Sequence, residues 1–358
     1  MRELSALIIA AGKASRMGDY SKELPKCLFE LTSGLPIPDL IVRWLKEEGI
    51  KRIVIVTRPS LRGFFEGRYD GVRVVTTDLE DGFGNLYSLM VGMESIGQGD
   101  FLVLMSDHIF EPGILRRLIR EGGREAFTLC LDGNPPWDRL EEGLKVVIRD
   151  GRVMQVGKDA PPYYGIDTGL FYCSDGSRRI VKSTIEEVGP QATIADALRR
   201  AIVEGEVGYV DVTGHTWMDV DTPEDLVKAR RLLPRLLRRS LVRPGDGPVL
   251  RYVNRPISTR LSVWLYLRGI LPNPILVSIL SFLTCVAGVL SIPAGSLLLS
   301  GLLIQASSIL DGLDDEVARL LKFRNKFWEV LDAFLDRYAD LAVLGAAGYM
   351  LWPLSMAQ

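Results

Sequence analysis

Short apolar runs alternate with amphipathic stretches along the first two thirds of the chain. Residues 39–49 have the spacing of an amphipathic helix and end at Gly49, which suits a helix C-cap. Runs rich in β-branched and other apolar residues predict buried strands, and they lie at 6–10, 52–57, 72–76 and 101–106. Strands that alternate with helices predict an α/β fold, with a mainly parallel sheet covered by helices on both faces.

The hydrophobic pattern changes after about residue 240. Residues 224–241 predict a basic helix, and residues 251–269 mix Arg with Trp, Tyr and Leu. The second composition is typical of a helix at a membrane interface, and a soluble amphipathic linker helix is the alternative. Residues 269–310 contain no charged side chain. We expect three membrane spans, at 275–292, 294–310 and about 327–352.

The basic residues around these spans predict their orientation. Arginines and lysines precede the first span and lie between the second and third, whereas the connection between the first two has no charge. By the positive-inside rule we expect a multi-pass protein of the inner or cell membrane, in contact with membrane lipid. The N-terminal domain and both candidate sites would face the cytoplasm. The predicted domains are 1–232 (soluble), 233–268 (linker and juxtamembrane helix) and 269–358 (membrane).

Composition excludes several classes of protein. The net charge of −2 gives no global basic field, so we expect no nucleic-acid partner. The four cysteines form no CxxC pair and the chain has two histidines, which argues against a disulfide framework or a zinc site. The apolar run at the N-terminus is too short for a signal peptide and leads directly into the first predicted strand.

A first candidate site follows the predicted strands. Residues 7–18 are a strand followed by a small-residue turn and Arg16, a pattern in which backbone N–H groups and a guanidinium can bind phosphates. Asp107 ends an apolar strand, where open α/β sheets bind ligands and where a carboxylate invites a divalent cation. The Gly-rich segment 81–89 adds Asn85 and Ser88, which can contact a base or a ribose.

Together, the motifs AAGKASRM, PK, GNLYSL, SDHIF, GIDTGLF and WMDVDTPEDL resemble the sugar-phosphate nucleotidyltransferases, and most closely the inositol-1-phosphate cytidylyltransferases. The resemblance covers nearly all of residues 5–226 and implies a Rossmann-like nucleotidyltransferase domain that uses CTP, a polyol phosphate and Mg²⁺ or Mn²⁺. It implies Ala11, Gly12 and Arg16 on the triphosphate, Lys26 on phosphate, Asp107 and Asp219 on the metal, and Lys145 and Asp167 on the sugar phosphate. A structural role is the alternative for Lys145 and Asp167. Asp221 is a less favoured metal ligand, and its alternative role is to cap the helix that starts at Pro223. Ala14 stands where the family usually has a second glycine.

A second candidate site lies in the membrane half. Asp311, Asp314 and Asp315 have the i, i+3, i+4 spacing of one helix face. Asp332, Asp336 and Asp340 repeat at four-residue spacing on the next predicted helix. Carboxylates in membrane helices are costly and usually functional, so we expect the two rows to bind one or two metal ions. A solvated loop with ion pairs to arginines is the alternative.

This spacing resembles the signature of the CDP-alcohol phosphotransferases, D-x-x-D-G-x-x-A-R followed by G-x-x-x-D-x-x-x-D. The resemblance implies that Asp311, Asp314 and Asp332 hold metal and the CDP diphosphate, and that Arg319 is a ligand contact. Asp336 would be a metal-site carboxylate and the general base on the acceptor hydroxyl. The segments RYAD (337–340) and NRPIS (254–258) resemble bifunctional enzymes that make di-myo-inositol phosphate phosphate. Such an enzyme takes CTP, a CDP-alcohol and a polyol phosphate, and the membrane family implies a homodimer.

Three departures from the signature leave alternatives open. Asp315 and Trp328 replace the two motif glycines, and three spans are expected where the family has more. One alternative is therefore a cytidylyltransferase with a catalytically dead membrane anchor. The others are a synthase with a lipid acceptor, as in phosphatidylinositol-phosphate synthesis, and a non-catalytic membrane scaffold.

Overall fold

The computed structural model describes residues 4–12, 28–32, 34–140, 143–160, 163–242, 245–323 and 325–355. Backbone contacts divide the chain into two compact units, Met1–Leu236 and Leu237–Gln358. The domain ranges expected from the sequence stay a prediction.

The first unit alternates strands and helices as expected. Its strands are β1 (Ser5–Ile9), β2 (Glu30–Thr32), β3 (Leu35–Pro36), β4 (Arg52–Thr57), β5 (Val72–Thr76), β6 (Phe101–Met105), β7 (His108–Phe110), β8 (Phe127–Asp132), β9 (Lys145–Arg149), β10 (Arg152–Gly157), β11 (Gly165–Cys173), β12 (Val207–Asp211) and β13 (Trp217–Asp219). Its helices are α1 (Ile37–Glu47), α2 (Arg62–Phe65), α3 (Asn85–Ile96), α4 (Pro112–Glu121), α5 (Trp137–Leu140), α6 (Ser177–Val188) and α7 (Ile194–Val203), and α8 (Pro223–Leu241) continues past residue 236.

The main sheet has nine strands in the described part of the unit. Strands β6, β1, β4 and β5 are adjacent and parallel, which confirms the parallel α/β arrangement for the apolar runs read from the sequence. Strand β11 pairs antiparallel with β6, β8 and β9, so the other half of the sheet is mixed. Because β1, β4 and β6 are parallel neighbours, the residues that follow them lie at one sheet edge.

The core of the first unit is apolar on both faces of this sheet. Leu7, Val54 and Val103 on the central strands are buried together with Leu89 and Met93 of α3. Helix α3 packs so closely on the sheet that a Cβ added at Gly92 would lie 2.6 Å from Val56 Cγ2. Helix α3 therefore packs in direct contact with the central strands, whose carboxyl ends form this edge of the sheet.

The second unit is helical in its described residues. After a π-helical turn at Leu250–Asn254 it contains α9 (Arg255–Leu267), α10 (Pro274–Leu290), α11 (Leu297–Leu320) and α12 (Lys326–Ser355). Helix α11 extends ten residues beyond the second span expected at 294–310, so it carries the first acidic row within the helix. Of the described helices, α11 alone is both long enough and apolar enough to cross a membrane, and α10 is apolar but has 17 residues.

Polar side chains are buried and apolar side chains are exposed in this second unit. On α9 the inward residues are Ser258, Thr259 and Ser262, all buried, while Trp264 is 48% exposed. Helices α10 and α11 repeat the pattern, since buried Ser278, Ser281, Ser300 and Ser307 contrast with exposed Leu276, Leu283, Leu298 and Leu302. Helix α12 exposes Phe334 and Leu344, and the unit also buries a small apolar cluster of Val277, Leu313 and Val317.

Candidate active sites

The first cavity opens at the carboxyl ends of β1, β4 and β6 and has a volume of about 590 Å³. The backbone of Ala11 and Gly12 lines one side, and residues 82–84 line the other. The side chain of Arg58, which follows β4, donates hydrogen bonds to the carbonyl of Ala11 and to Asp81 Oδ1. This guanidinium thus joins the two backbone segments that form the walls.

A second cavity, of about 650 Å³, adjoins the first. Asn85, Met105 and Asp107 line both cavities, so Asp107 lies at their junction. Asp219 lines the second cavity. Strands β7 and β13 pair antiparallel, and the N–H of Val220 donates to the carbonyl of Asp107 at 2.9 Å, which brings the two aspartate positions side by side.

The aspartates of the second cavity have basic neighbours. His108 Nδ1 is hydrogen-bonded to Asp107 Oδ1 at 2.7 Å. Arg139 Nη1 lies 3.7 Å from Asp219 Oδ1 and donates to the carbonyl of Trp217, and its guanidinium stacks over the Trp217 ring at 5.0 Å. Each of the two carboxylates therefore has a basic side chain beside it at the wall of the second cavity.

Asp167 also lines the second cavity. Its Oδ1 accepts a hydrogen bond from the N–H of Gly169 at 3.1 Å. Burial raises the pKa of Asp167 to about 7, and the hydrogen bonds from Gly169 and Thr168 and the nearby His108 act in the opposite direction. The carboxyl group therefore changes charge near neutral pH.

The other residues expected at the first site have mixed positions. Ser88 lines the first cavity and is 1% exposed, whereas the Oδ1 of Asn85 accepts from the N–H of Ile194 at 2.8 Å. Lys145 lines neither cavity, and its Nζ donates to the carbonyl of Lys158. Arg16 and Lys26 lie outside the described residues, so their roles stay predictions.

In the second unit, the two acidic rows meet between α11 and α12. One carboxylate oxygen from each of Asp311, Asp314 and Asp332 lies within 4.8 Å of the others. Asp314 is 1% exposed and accepts a hydrogen bond from the hydroxyl of Ser278 on α10. Three carboxylates this close repel each other strongly unless a cation or protons neutralise them.

A cavity of about 630 Å³ adjoins this triad. Its acidic wall includes Asp311, Asp332 and Asp336. Its other polar residues are Ser278, Ser281, Ser307, Ser308, Arg337 and Asp340. Arg319 is not among the lining residues, because its Nη1 and Nη2 donate to the carbonyls of Leu241 and Ser240 at 3.0 and 2.9 Å. Its expected contact with the nucleotide stays a prediction.

The two residues that replace motif glycines differ in their surroundings. Trp328 is buried beside Phe323, and its Nε1 donates to Ser278 Oγ at 3.0 Å. Ser278 in turn bonds Asp314, so the indole is two hydrogen bonds away from the triad. Asp315 follows Asp314 on α11 and its backbone N–H donates to Asp314 Oδ1. Neither replacement lines the cavity beside the triad.

Sequence reasoning missed several of these residues. Arg58 directly follows buried strand β4, and Asp107 lies two residues after β6, so the position of Arg58 at a strand end was a usable signal. Arg139 and its stacking partner Trp217 are far apart in sequence and had no such signal. Glu316 was also missed. It is fully buried and accepts from Arg255 Nη1 at 2.8 Å, but in the sequence it stands among the motif aspartates, and nothing there indicated a separate role for it.

The fold and cavities of the first unit define a nucleotidyltransferase. Residues 6–137 match the family model of the MobA-like NTP transferase domain. The solved inositol-1-phosphate CTP transferase from T. maritima superposes with a TM-score of 0.59 at 21% identity, over 68% of this chain and 98% of that one. This likeness supports the fold.

The whole chain also matches proteins with both halves. The bifunctional IPC transferase and DIPP synthase of Thermococcus kodakarensis is 33% identical over 96% of this chain and 75% of its own length. The protein of the same name from Aquifex aeolicus is 32% identical over 98% of this chain and 78% of its own length. The chain belongs to the family of bifunctional IPC transferases and DIPP synthases. It spans about three quarters of the length of these relatives.

Proposed function

We propose that this chain catalyses two consecutive transfers. In the first unit, the phosphate oxygen of inositol 1-phosphate attacks the α-phosphate of CTP, giving CDP-inositol and pyrophosphate. In the second unit, a hydroxyl of an inositol phosphate attacks CDP-inositol and releases CMP, giving a di-inositol phosphate phosphate. Membership of the bifunctional family over nearly the whole chain carries this proposal.

The adjoining cavities of the first unit fit the first transfer. The cavity next to Ala11 and Gly12 can hold CTP, the one containing Asp219 can hold the polyol phosphate, and Asp107 lies where they join. The paired Asp107 and Asp219 suit Mg²⁺, which prefers oxygen ligands. Bound there, the ion would neutralise the charge that develops on the transferred phosphate. The protein's own contribution is alignment of the two substrates, with Arg139 holding Asp219 in place.

The carboxylate triad of the second unit fits the second transfer. Asp311, Asp314 and Asp332 would hold a divalent cation that binds the diphosphate of the CDP-alcohol. Asp336 lines the adjacent cavity and is an exposed carboxylate, so it can accept the proton of the attacking hydroxyl. Ser281 and Ser307 line the same cavity and donate to each other's backbone carbonyls at 2.9 Å, so these hydroxyls hold α10 against α11.

We also propose that the second unit is a membrane domain. Helices α9, α10 and α11 bury serines, α11 also buries Asp314, and leucines and phenylalanines of the unit are exposed, as expected for helices surrounded by lipid. Helices α10, α11 and α12 would be the three spans, with α9 at the interface through Trp264 and its apolar outer face. Resistance of the membrane-bound chain to extraction by alkaline carbonate tests this assignment, because a peripheral protein would be released.

The proposed function is tested by measuring each transfer separately. Purified full-length chain with CTP and Mg²⁺ should release pyrophosphate with inositol 1-phosphate faster than with glycerol 3-phosphate or glucose 1-phosphate. Asp107→Ala should lower this rate at least 100-fold, whereas Asp159→Asn, at an exposed position, should not. Given CDP-inositol and inositol 1-phosphate, the chain should release CMP, and Asp332→Asn should abolish that release. No pyrophosphate release with any of the three phosphates would refute the first transfer.

One alternative has a specific observation in its favour. Trp328 and Asp315 add bulk and charge where the phosphotransferase signature has glycine, which favours a membrane anchor that no longer catalyses. Intact synthesis of CDP-inositol with no CMP release from added CDP-inositol would establish this alternative.

A further inference from the structure

The turn between α6 and α7 forms part of the wall of the first cavity. Gln191 lines this cavity although it lies about a hundred residues after the other lining residues. The turn is held against residues 84–86 by three hydrogen bonds. They run from Gly84 N–H to the carbonyl of Pro190 (2.9 Å), from Leu86 N–H to the carbonyl of Ala192 (3.3 Å) and from Ile194 N–H to Asn85 Oδ1 (2.8 Å).

Close approach of the two segments depends on the glycine at position 84. A Cβ built there would lie 2.1 Å from the carbonyl oxygen of Ala192 and 2.5 Å from that of Gln191. Both atoms belong to the backbone, so a side chain could be accommodated only if the turn moved away. The 190–194 segment is therefore a fixed part of the cavity wall.

The side-chain oxygen of Asn85 is used to hold this wall. Its Oδ1 accepts from the first N–H of α7, so one of the two lone pairs of this oxygen is used to hold the wall. The 190–194 segment brings another polar side chain, Gln191, to the same cavity.

Among the lining residues that the structure describes, few polar side chains suit a nucleotide base. Arg58 is bonded to Ala11 and Asp81, and Asp107 is the candidate metal ligand. Ser88 has one hydroxyl and is almost fully buried. Gln191 is exposed, and its amide makes no hydrogen bond with the described residues. An amide carries an acceptor and two donors together, which matches the polar edge of cytosine.

We propose that Gln191 binds the base of CTP and that Asn85 is a positioning residue that keeps Gln191 at the cavity. The Gln191 amide oxygen accepts from the 4-amino group of cytosine, and its NH₂ group donates to N3 or O2. The proposal rests on the proposed function, because it assumes that the first cavity takes CTP. Loss of two such hydrogen bonds corresponds to about a tenfold loss of affinity.

The experiment compares Gln191→Ala and Gln191→Glu with the wild-type full-length chain. Both should raise the KM for CTP about tenfold with little change in kcat, since Glu cannot donate to N3 or O2. Inhibition by inorganic tripolyphosphate, which lacks the base, should be unchanged in both variants. Gln98→Ala, in an exposed turn that lines neither cavity, is the matched control and should leave both quantities unchanged.

The role of Asn85 is tested by a double-mutant cycle. Asn85→Ala should also raise the KM for CTP. In the Asn85→Ala/Gln191→Ala chain, the fold increase in this KM should be smaller than the product of the increases in the two single variants. Such coupling is expected only if Asn85 acts through the wall that carries Gln191. Fully multiplicative effects would show that Asn85 acts on its own.

Two results would overturn the inference. A KM for CTP within twofold of wild type in both Gln191 variants would remove Gln191 from the base site. If the variants bound CTP and tripolyphosphate more weakly by the same factor, the substitutions would have disturbed the cavity as a whole and not the base contact. Absence of CTP-dependent activity in the wild-type chain is a different outcome, since it would reject the proposed function itself.

Discussion

At the scale of single residues, the first site depends on carboxylates in different environments. Asp107 is hydrogen-bonded to His108 at 2.7 Å, and Asp219 lies 3.7 Å from Arg139. Asp167 is half-buried, and loss of hydration raises its pKa to about 7. Carboxyl groups that line one cavity can therefore differ in charge at the same pH.

The raised pKa of Asp167 predicts a pH-dependent stability. Its pKa is about 7 in the folded chain against 3.8 for the free side chain, so its contribution to stability is fully present below pH 4. That contribution is lost as the pH rises through 7, because the folded state must then hold a buried charge. Asp167→Asn should consequently gain stability relative to wild type between pH 4 and pH 8. We expect about 1 to 2 kcal/mol, since the side chain is partly exposed.

Thermal unfolding of Asp167→Asn and of the wild-type chain, each at pH 4 and at pH 8, measures the difference in stability. Asp159→Asn provides the control, because Asp159 is exposed on the surface. If the melting temperature of Asp167→Asn differed from that of wild type by the same amount at pH 4 and at pH 8, the expectation would be wrong.

At the scale of elements, the cavity walls are set by close contacts between segments. Gly84→Ala should displace the turn at 190–192, because the new Cβ would overlap the carbonyl oxygen of Ala192. We expect a loss of about 1 to 3 kcal/mol in stability and a KM for CTP at least tenfold higher. Gly63→Ala is the matched control, since a Cβ at Gly63 meets no atom within 4 Å. Steady-state kinetics and melting curves should show the higher KM and the lower stability in Gly84→Ala, and neither change in Gly63→Ala.

The pairing of α9 with α11 gives a second prediction at this scale. The carboxylate of Glu316 is fully buried and accepts hydrogen bonds from Arg255, Ser258 and Ser262. Glu316→Ala would leave a buried guanidinium with Asp246 as its remaining acidic partner. We expect a loss of about 3 kcal/mol, measured by SDS-induced unfolding of the chain in detergent. Exposed Glu329→Ala should cost less than about 0.5 kcal/mol, and an equal loss in both variants would contradict the role of the network.

At the scale of the whole molecule, the two candidate sites belong to separate compact units, so the two proposed reactions can be measured separately. Asp107→Ala should lose synthesis of CDP-inositol and keep CMP release from supplied CDP-inositol. Asp332→Asn should show the opposite pattern. Each carboxylate lies in its own unit, so neither change should alter the other reaction.

Mixing these two variants tests how the intermediate passes between sites. With CTP and inositol 1-phosphate, the mixture should release CMP after a lag in which free CDP-inositol accumulates. A mixture that makes CDP-inositol but releases no CMP, while each variant keeps its own half-reaction, would contradict free diffusion of the intermediate.

The sequence by itself determined the local structure and the family. Apolar periodicity gave β1, β4, β5, β6 and the helices of the second unit, because burial of side chains is already encoded in spacing along the chain. The spacing of Asp311 and Asp314 placed them on one helix face for the same reason. The short motifs identified the family that the whole-chain relatives confirm.

Only the tertiary structure decided which distant residues meet. The sequence did not indicate that Gln191 would line the cavity of Gly84, that Arg139 would stack on Trp217, or that Lys145 would lie outside both cavities. These contacts join segments far apart along the chain, and they depend on strand order and on how closely turns approach each other. The spacing of apolar residues indicates which face of a helix or strand is buried. Which other segment packs against that face depends on the complete fold.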